Sequence, residues 1–150
     1  MDLFASYDSP LGMIQIGHKD GQIVSIRRSN AVVPHSPSPV SELASLQLQE
    51  YFSGIRRAFD LPIAPRGTAF QIAVWNALCC IPYGEVRSYG EIAAAIGNPK
   101  ACRAVGMACN RNPLWIVIPC HRVVGHNHAL TGYAGGLDMK RALLELERNR

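Results

Sequence analysis

The sequence predicts an α+β fold: a small antiparallel-sheet lobe over residues 1–64, then a helical lobe over residues 65–150 that carries a helix-turn-helix. Three observations predict it. Apolar and polar residues alternate on both sides of Lys19-Asp20-Gly21, the pattern of a β-hairpin. From Thr68 onward the apolar spacing becomes helical. Between the two regimes, Leu61-Pro62-Ile63-Ala64-Pro65-Arg66-Gly67 reads as a connection broken by prolines and a glycine.

The elements follow in order. Phe4-Ala5-Ser6-Tyr7 is a short strand that turns at Asp8-Ser9-Pro10-Leu11-Gly12. Met13 to Gly17 and Ile23 to Arg27 form the hairpin strands. Val32 to Pro39 is a Pro- and Ser-rich loop. Ser41 to Phe52 has helical spacing, with Leu43, Leu46, Leu48, Tyr51 and Phe52 as its apolar residues and Gly54 as its stop. Thr68 caps a helix to about Leu78, with Phe70, Val74 and Leu78 on one stripe and Trp75 beside it. Pro82-Tyr83-Gly84 breaks it. Ser88 caps a short helix, Tyr89 to Ala95, with Glu91 completing a capping box. Asn98 is expected to cap the next, with Pro99 at its first position, running to about Cys109. The last helix runs from Leu137 to Leu146, with Glu147 near its end.

Composition narrows the class. A hydrophobic fraction of 48% supports a packed core and excludes a disordered chain. No apolar run approaches the roughly 20 residues that cross a bilayer. The acidic start, Met1-Asp2-Leu3-Phe4, is unlike a signal peptide, so a cytoplasmic protein is expected. The five cysteines are an odd number and none precedes Cys79, which fits reduced thiols. A net charge of +4 permits nucleic-acid binding without demanding it. Cys79 and Cys80 lack metal-ligand spacing, and His18 and His35 read as surface residues, so no metal is expected.

Chemistry concentrates in Ile118-Pro119-Cys120-His121-Arg122, at the end of the apolar run Leu114 to Ile118. A free thiol has a pKa of roughly 8.5, and an imidazole that takes its proton makes it a nucleophile. Adjacent residues on a straight strand face opposite ways, so direct contact needs a turn or a bridging water. A buried Cys is also a common small hydrophobe, and the dipeptide alone leaves both readings open. The two short helices around Gly97 make a helix-turn-helix candidate. In the second, Cys102, Val105 and Cys109 share a stripe that can pack inward, and Ala101, Ala104 and Ala108 form another beside Arg103. Such a face suits close approach to a grooved partner such as DNA, while alanine is equally a plain helix former. Gly132, Gly135 and Gly136 around Tyr133 mark a loop whose backbone can approach a ligand.

Taken together, these stretches resemble the O6-alkylguanine-DNA alkyltransferases. The matching residues include Gly67-Thr68-Ala69-Phe70-Gln71, Ile81-Pro82-Tyr83-Gly84, Ser88-Tyr89-Gly90-Glu91-Ile92-Ala93 and Gly97-Asn98-Pro99-Lys100-Ala101. They continue through Arg103-Ala104-Val105-Gly106, Asn112-Pro113, Ile118 to Val123 and Gly135-Gly136-Leu137. The resemblance covers nearly all of residues 65–147 and is weaker before them. It implies a ribonuclease-H-like N-terminal lobe and a monomer acting on double-stranded DNA without a cofactor. The implied reaction is irreversible, stoichiometric transfer of an alkyl group from O6-alkylguanine, with O4-alkylthymine as a second substrate, to Cys120. In it His121 would draw the thiol proton through a water, Glu147 would hold the imidazole and favour its charged form, Asn112 would brace the turn, and Tyr89 would give a proton to the departing base. Arg103 would fill the stack after nucleotide flipping. Ser88, Lys100, Ala101, Ala104 and Gly106 would line the minor-groove contact, and Tyr133, Ala134 and Gly135 the base pocket, with Trp115 either bracing that pocket or, the favoured reading, packing in the core. The chain departs from many members at Trp115, Ala134 and Cys102, and it lacks the N-terminal zinc cysteines of some. The alternative function is an alkyltransferase-like module that grips lesions without transfer; such proteins lack the acceptor cysteine.

Overall fold

The computed structural model describes residues 1–148. The chain forms two compact units, Met1–Arg66 and Gly67–Arg150, each with its own core.

The first unit is an antiparallel sheet in the order β1 (Leu3–Tyr7), β2 (Ile14–Lys19), β3 (Gln22–Arg28), with helix α1 (Pro39–Phe52). Asp20 and Gly21 both have positive φ, 52° and 76°, the conformation of a two-residue hairpin turn whose twist matches its strands. Ala5, Ile16 and Ile26 stand opposite one another across the sheet and are fully buried. The stretch after α1 is more than a connection. Ile23 N–H donates to the Pro62 carbonyl at 2.8 Å and Ala64 N–H to the Ile23 carbonyl at 2.8 Å, so residues 62–64 run parallel to β3. The two prolines keep this segment extended. His18 is buried, not on the surface, with its Nε2 2.7 Å from the Ser36 carbonyl.

Helix α1 begins at Ser38, whose hydroxyl accepts from Ser41 N–H in a capping box. Its buried face is Ser41, Ala44, Ser45, Leu48 and Tyr51, and Leu43 and Leu46 are exposed. Small residues share this face with Leu48 and Tyr51, so large apolar residues alone do not mark the inner stripe. Gly54, at φ 78°, ends the helix as the left-handed residue of a Schellman motif: Gly54 and Ile55 N–H bond the Tyr51 and Glu50 carbonyls.

The second unit holds α2 (Ala69–Cys79), α3 (Tyr89–Ala95), α4 (Cys102–Asn110) and α5 (Leu137–Arg148). A short parallel pair joins β4 (Arg87–Ser88) to β5 (Val123–Val124), which the sequence does not announce. Thr68 and Ser88 cap α2 and α3 in capping boxes with Gln71 and Glu91. Trp75 anchors α2 to α4, donating from its buried Nε1 to the Ala108 carbonyl at 2.9 Å. Gly67 is required by that ring, since a Cβ there would sit 2.5 Å from Trp75 Cη2.

Helix α4 begins later than expected, with Ala101 at its cap and no side-chain cap bond. Asn98 serves α3 instead. Gly97 has φ 79°, and Gly97 and Asn98 N–H bond the Ala94 and Ala93 carbonyls in a second Schellman motif. The inward face of α4 is Val105, Ala108 and Cys109, while Cys102 is exposed. Ala108 therefore belongs to the core, and Ala101 and Ala104 are half-buried. No helix of the described residues is long and apolar enough to cross a membrane.

Candidate active site

The apolar run 114–118 does not continue as a strand. Ile118 N–H reaches back to the Leu114 carbonyl at 2.9 Å, and Ile116 takes φ 75°. A left-handed β-branched residue costs on the order of 1–3 kcal/mol and persists only where its surroundings hold it. Asn112 supplies that hold. Its Oδ1 accepts from Leu114 N–H at 2.9 Å, and its Nδ2 donates to the Ile118 carbonyl at 2.8 Å and to Cys120 Sγ at 3.1 Å. The backbone then winds into a 3₁₀ turn, Cys120–Arg122, so Cys120 and His121 are not splayed as on a strand.

Cys120 is 3% exposed, and burial pushes its thiol up to about 11. Hydrogen bonds from Asn112 and Tyr133 and the charge of Lys140 pull the other way. The resting group is a thiol, so nucleophilicity requires a base at the moment of reaction. His121 is fully buried, and burial holds its pKa below the ordinary 6.5 against the opposing pull of Glu147. Its Nε2 lies 2.7 Å from Glu147 Oε2, while its buried Nδ1 has no protein partner among the described residues. A neutral imidazole held this way is oriented and able to take a proton.

Glu147 is the hub. Arg122 clamps it from Nε at 2.8 Å and from Nη2 at 3.0 Å, and the Gly84 N–H reaches Oε1 at 3.3 Å. Arg122 spends Nη1 on the Ile81 carbonyl at 2.7 Å. Helix α5 also carries Lys140, fully buried, with Nζ 2.6 Å from the Val123 carbonyl and 3.3 Å from that of Thr131. Arg122 and Lys140 were not among the residues expected from sequence. Lys140 shares the inward stripe of Leu143 and Glu147 on α5, and a lysine on such a stripe is the signal that marks it.

The remaining expected residues divide into two groups. The Tyr89 hydroxyl sits 2.8 Å from Thr131 Oγ1, and its ring lies along Gly106 of α4. Trp115 and Tyr133 pack with ring centroids 6.1 Å apart, and Gly135 fits between them because a Cβ would be 2.8 Å from Tyr133 and 3.1 Å from Trp115. Ala134 is exposed. Lys100 and Arg103 are exposed at the start of the α4 region, apart from the buried cluster, and the Ser88 hydroxyl is engaged in its cap. Among the described residues no group of three or more His, Cys, Asp or Glu side chains could hold a metal ion.

Two family models match this chain: the ribonuclease-like domain of 6-O-methylguanine DNA methyltransferase over residues 3–65, and its DNA binding domain over residues 69–149. The chain belongs to the 6-O-methylguanine DNA methyltransferase family. A methylated-DNA–protein-cysteine methyltransferase of Methanosarcina acetivorans is 52% identical, over 96% of this chain and 97% of that protein. The constitutive one of Bacillus subtilis is 45% identical, over 99% of this chain and 96% of that protein. Among solved structures, the Mycobacterium tuberculosis O6-methylguanine methyltransferase superposes with a TM-score of 0.91 at 45% identity, covering 100% of this chain and 94% of that one. The M. tuberculosis OGT in complex with DNA gives 0.90 at 46% identity, covering 97% and 92%. Within this family, the α+β architecture with a ribonuclease-like N-terminal unit is the expected one.

Proposed function

We propose that this protein repairs DNA by direct reversal, moving the alkyl group of O6-alkylguanine irreversibly onto Cys120, with O4-alkylthymine as a second substrate. The observation that carries this reading is the buried chain of contacts Asn112–Cys120 and His121–Glu147–Arg122, set in the same unit as a helix-turn-helix. His121 takes the thiol proton through a bridging water at Nδ1, the ring nitrogen that Glu147 leaves open. The sulfur attacks the alkyl carbon, guanine departs with the O6 electron pair, and Tyr89 gives the base a proton. The product thioether has no acyl carbonyl for water to attack, so each molecule acts once.

Access explains the DNA part. A thiol 3% exposed cannot meet a stacked base, so the nucleotide turns out of the helix. Exposed Arg103 takes the vacated place, and α4 with Ala101 and Ala104 lies in the minor groove, which distinguishes sequence poorly and so suits a lesion scanner. Lys100 and other cationic contacts to phosphates make binding weaken with salt. The lesion-gripping alternative lacks support, because the acceptor Cys120 is present, with Asn112 Nδ2 at 3.1 Å from its sulfur.

Titration with a duplex holding O6-methylguanine tests the reading: lesion should disappear one for one with protein and then stop. Catalytic turnover on a simple ester, with the lesion untouched, would point to a hydrolase. The pH dependence has a defined sign. The reaction needs neutral His121, whose pKa lies below 6.5. The transfer rate should therefore be level from pH 6.5 to neutrality and fall as pH drops through a midpoint below 6.5. Folding stability moves the same way: the unfolded state binds the extra proton first, so stability is complete above 6.5 and is lost as pH falls below it. Single-turnover rates from pH 5 to 8 check the first statement; a rate rising on acidification would contradict it.

A further inference from the structure

We propose that Thr131 is a positioning residue that aims the Tyr89 hydroxyl at the departing base and supports the oxygen left behind. The proposal rests on the reading of Tyr89 as proton donor given above. Three contacts fix Thr131. Its hydroxyl is 2.8 Å from the Tyr89 Oη. Its carbonyl accepts from the buried Lys140 Nζ at 3.3 Å, which ties it to α5. Its methyl lies against Gly125, where a Cβ would come within 2.9 Å of Cγ2, so the threonine side chain is held in place by the backbone beneath it. Gly125 is itself pinned by its N–H bond to the Ala129 carbonyl at 2.8 Å. The loop is thus built to present one hydroxyl to one phenol.

The chemistry follows from the donor count. A phenol that gives its only proton to a base keeps an oxygen that needs a donor. Threonine can supply one, because its hydroxyl both donates and accepts. At rest either group can be the donor. When a base accepts from Tyr89, the Thr131 hydroxyl turns to donate to Tyr89 Oη. The sulfur–carbon bond forms, the carbon–O6 bond breaks with its electron pair going to the guanine, and the Tyr89 proton completes the neutral base. The proton that His121 took from Cys120 balances the one Tyr89 gave, and solvent returns it. Burial opposes a charged Tyr89, and the Thr131 hydrogen bond is what favours it.

Single-turnover transfer from O6-methylguanine duplex, measured in Thr131→Val, Thr131→Ala and Thr131→Ser, tests this. Loss of the hydroxyl in the first two should slow transfer about three- to tenfold, the scale of one neutral hydrogen bond. Thr131→Ser should stay within about twofold of wild type. Lesion affinity in a Cys120→Ser background should not change with Thr131→Val. In a Tyr89→Phe background the Thr131→Val step should have no further effect, because the residue acts through the phenol. NMR titration of Tyr89 should show it ionising at higher pH in Thr131→Val. Undiminished rates in Thr131→Val and Thr131→Ala, or a slowing that persists in full in Tyr89→Phe, would overturn the proposal and leave the proposed function standing. Wild-type protein that transfers nothing would remove the proposed function, and this inference with it.

Discussion

Cys120→Ser should abolish transfer, lowering it by on the order of 10⁴-fold or more, while lesion-bearing duplex still binds with nearly wild-type affinity. The reason lies in the site. Burial already raises the thiol to about 11, so even the sulfur needs a base at the moment of reaction. A serine hydroxyl is far less acidic and less nucleophilic, so the same base cannot ready it. The variant should fold well. Serine fits the volume, and Asn112 Nδ2, now 3.1 Å from Sγ, has an oxygen to meet. Electrophoretic mobility and transfer assays on one preparation check both halves. Residual transfer above a hundredth of wild type would move the acceptor elsewhere, and Cys109, also buried, would be the first place to look.

Glu147→Ala should give the largest loss of stability of any single change in the site. The carboxylate takes two bonds from Arg122, one contact with His121 and one from the Gly84 N–H. Without it a guanidinium 7% exposed loses its counter-charge, and a fully buried neutral imidazole loses the acceptor that orients it. Breaking a buried pair by removing one partner costs about 3–5 kcal/mol, since the remaining charge stays buried. For a chain of this length the melting temperature should fall by on the order of 10 °C. Transfer should fall as well, by roughly 10²- to 10⁴-fold, because His121 loses the group that sets its tautomer. Glu147→Gln separates the effects: it keeps volume and hydrogen-bonding atoms but not the charge that balances Arg122. Calorimetry showing a Glu147→Ala melting point within about 2 °C of wild type would contradict the hub role, given the usual worth of such a pair.

Much of this was legible in sequence, and the misses share a cause. The hairpin around Asp20-Gly21 and the capping boxes at Thr68 and Ser88 are local devices, and local chemistry states them outright. Cys120 and His121 were visible as neighbours at a break after Pro119, but the 3₁₀ form of the turn there was not. It depends on Asn112 bonding two points of the following loop, a tertiary arrangement that holds Ile116 against its own preference. The His121–Glu147 contact spans 26 positions and came only through resemblance. Arg122 stood in plain view beside the dyad, yet nothing in its spacing tells that it clamps Glu147. On α1, Leu48 and Tyr51 face inward as their spacing says, but Leu43 and Leu46 do not, because Ser41, Ala44 and Ser45 fill the rest of the buried face. The start of α4 was misplaced because Asn98 has two uses, and Gly97 commits it to closing α3. Thr131 and Lys140 lie in or beside a loop whose glycines announce close approach but not which side chains meet across it.

In the proposed reaction Cys120 accepts the alkyl group once and keeps it. The most direct measurement is intact mass and peptide mapping after mixing the protein with duplex DNA carrying one O6-methylguanine. The expected result is a gain of one methyl per protein, saturating there, on the peptide that holds Cys120. Tight binding of the lesion with no gain in mass, or a methyl found on another cysteine, would contradict it.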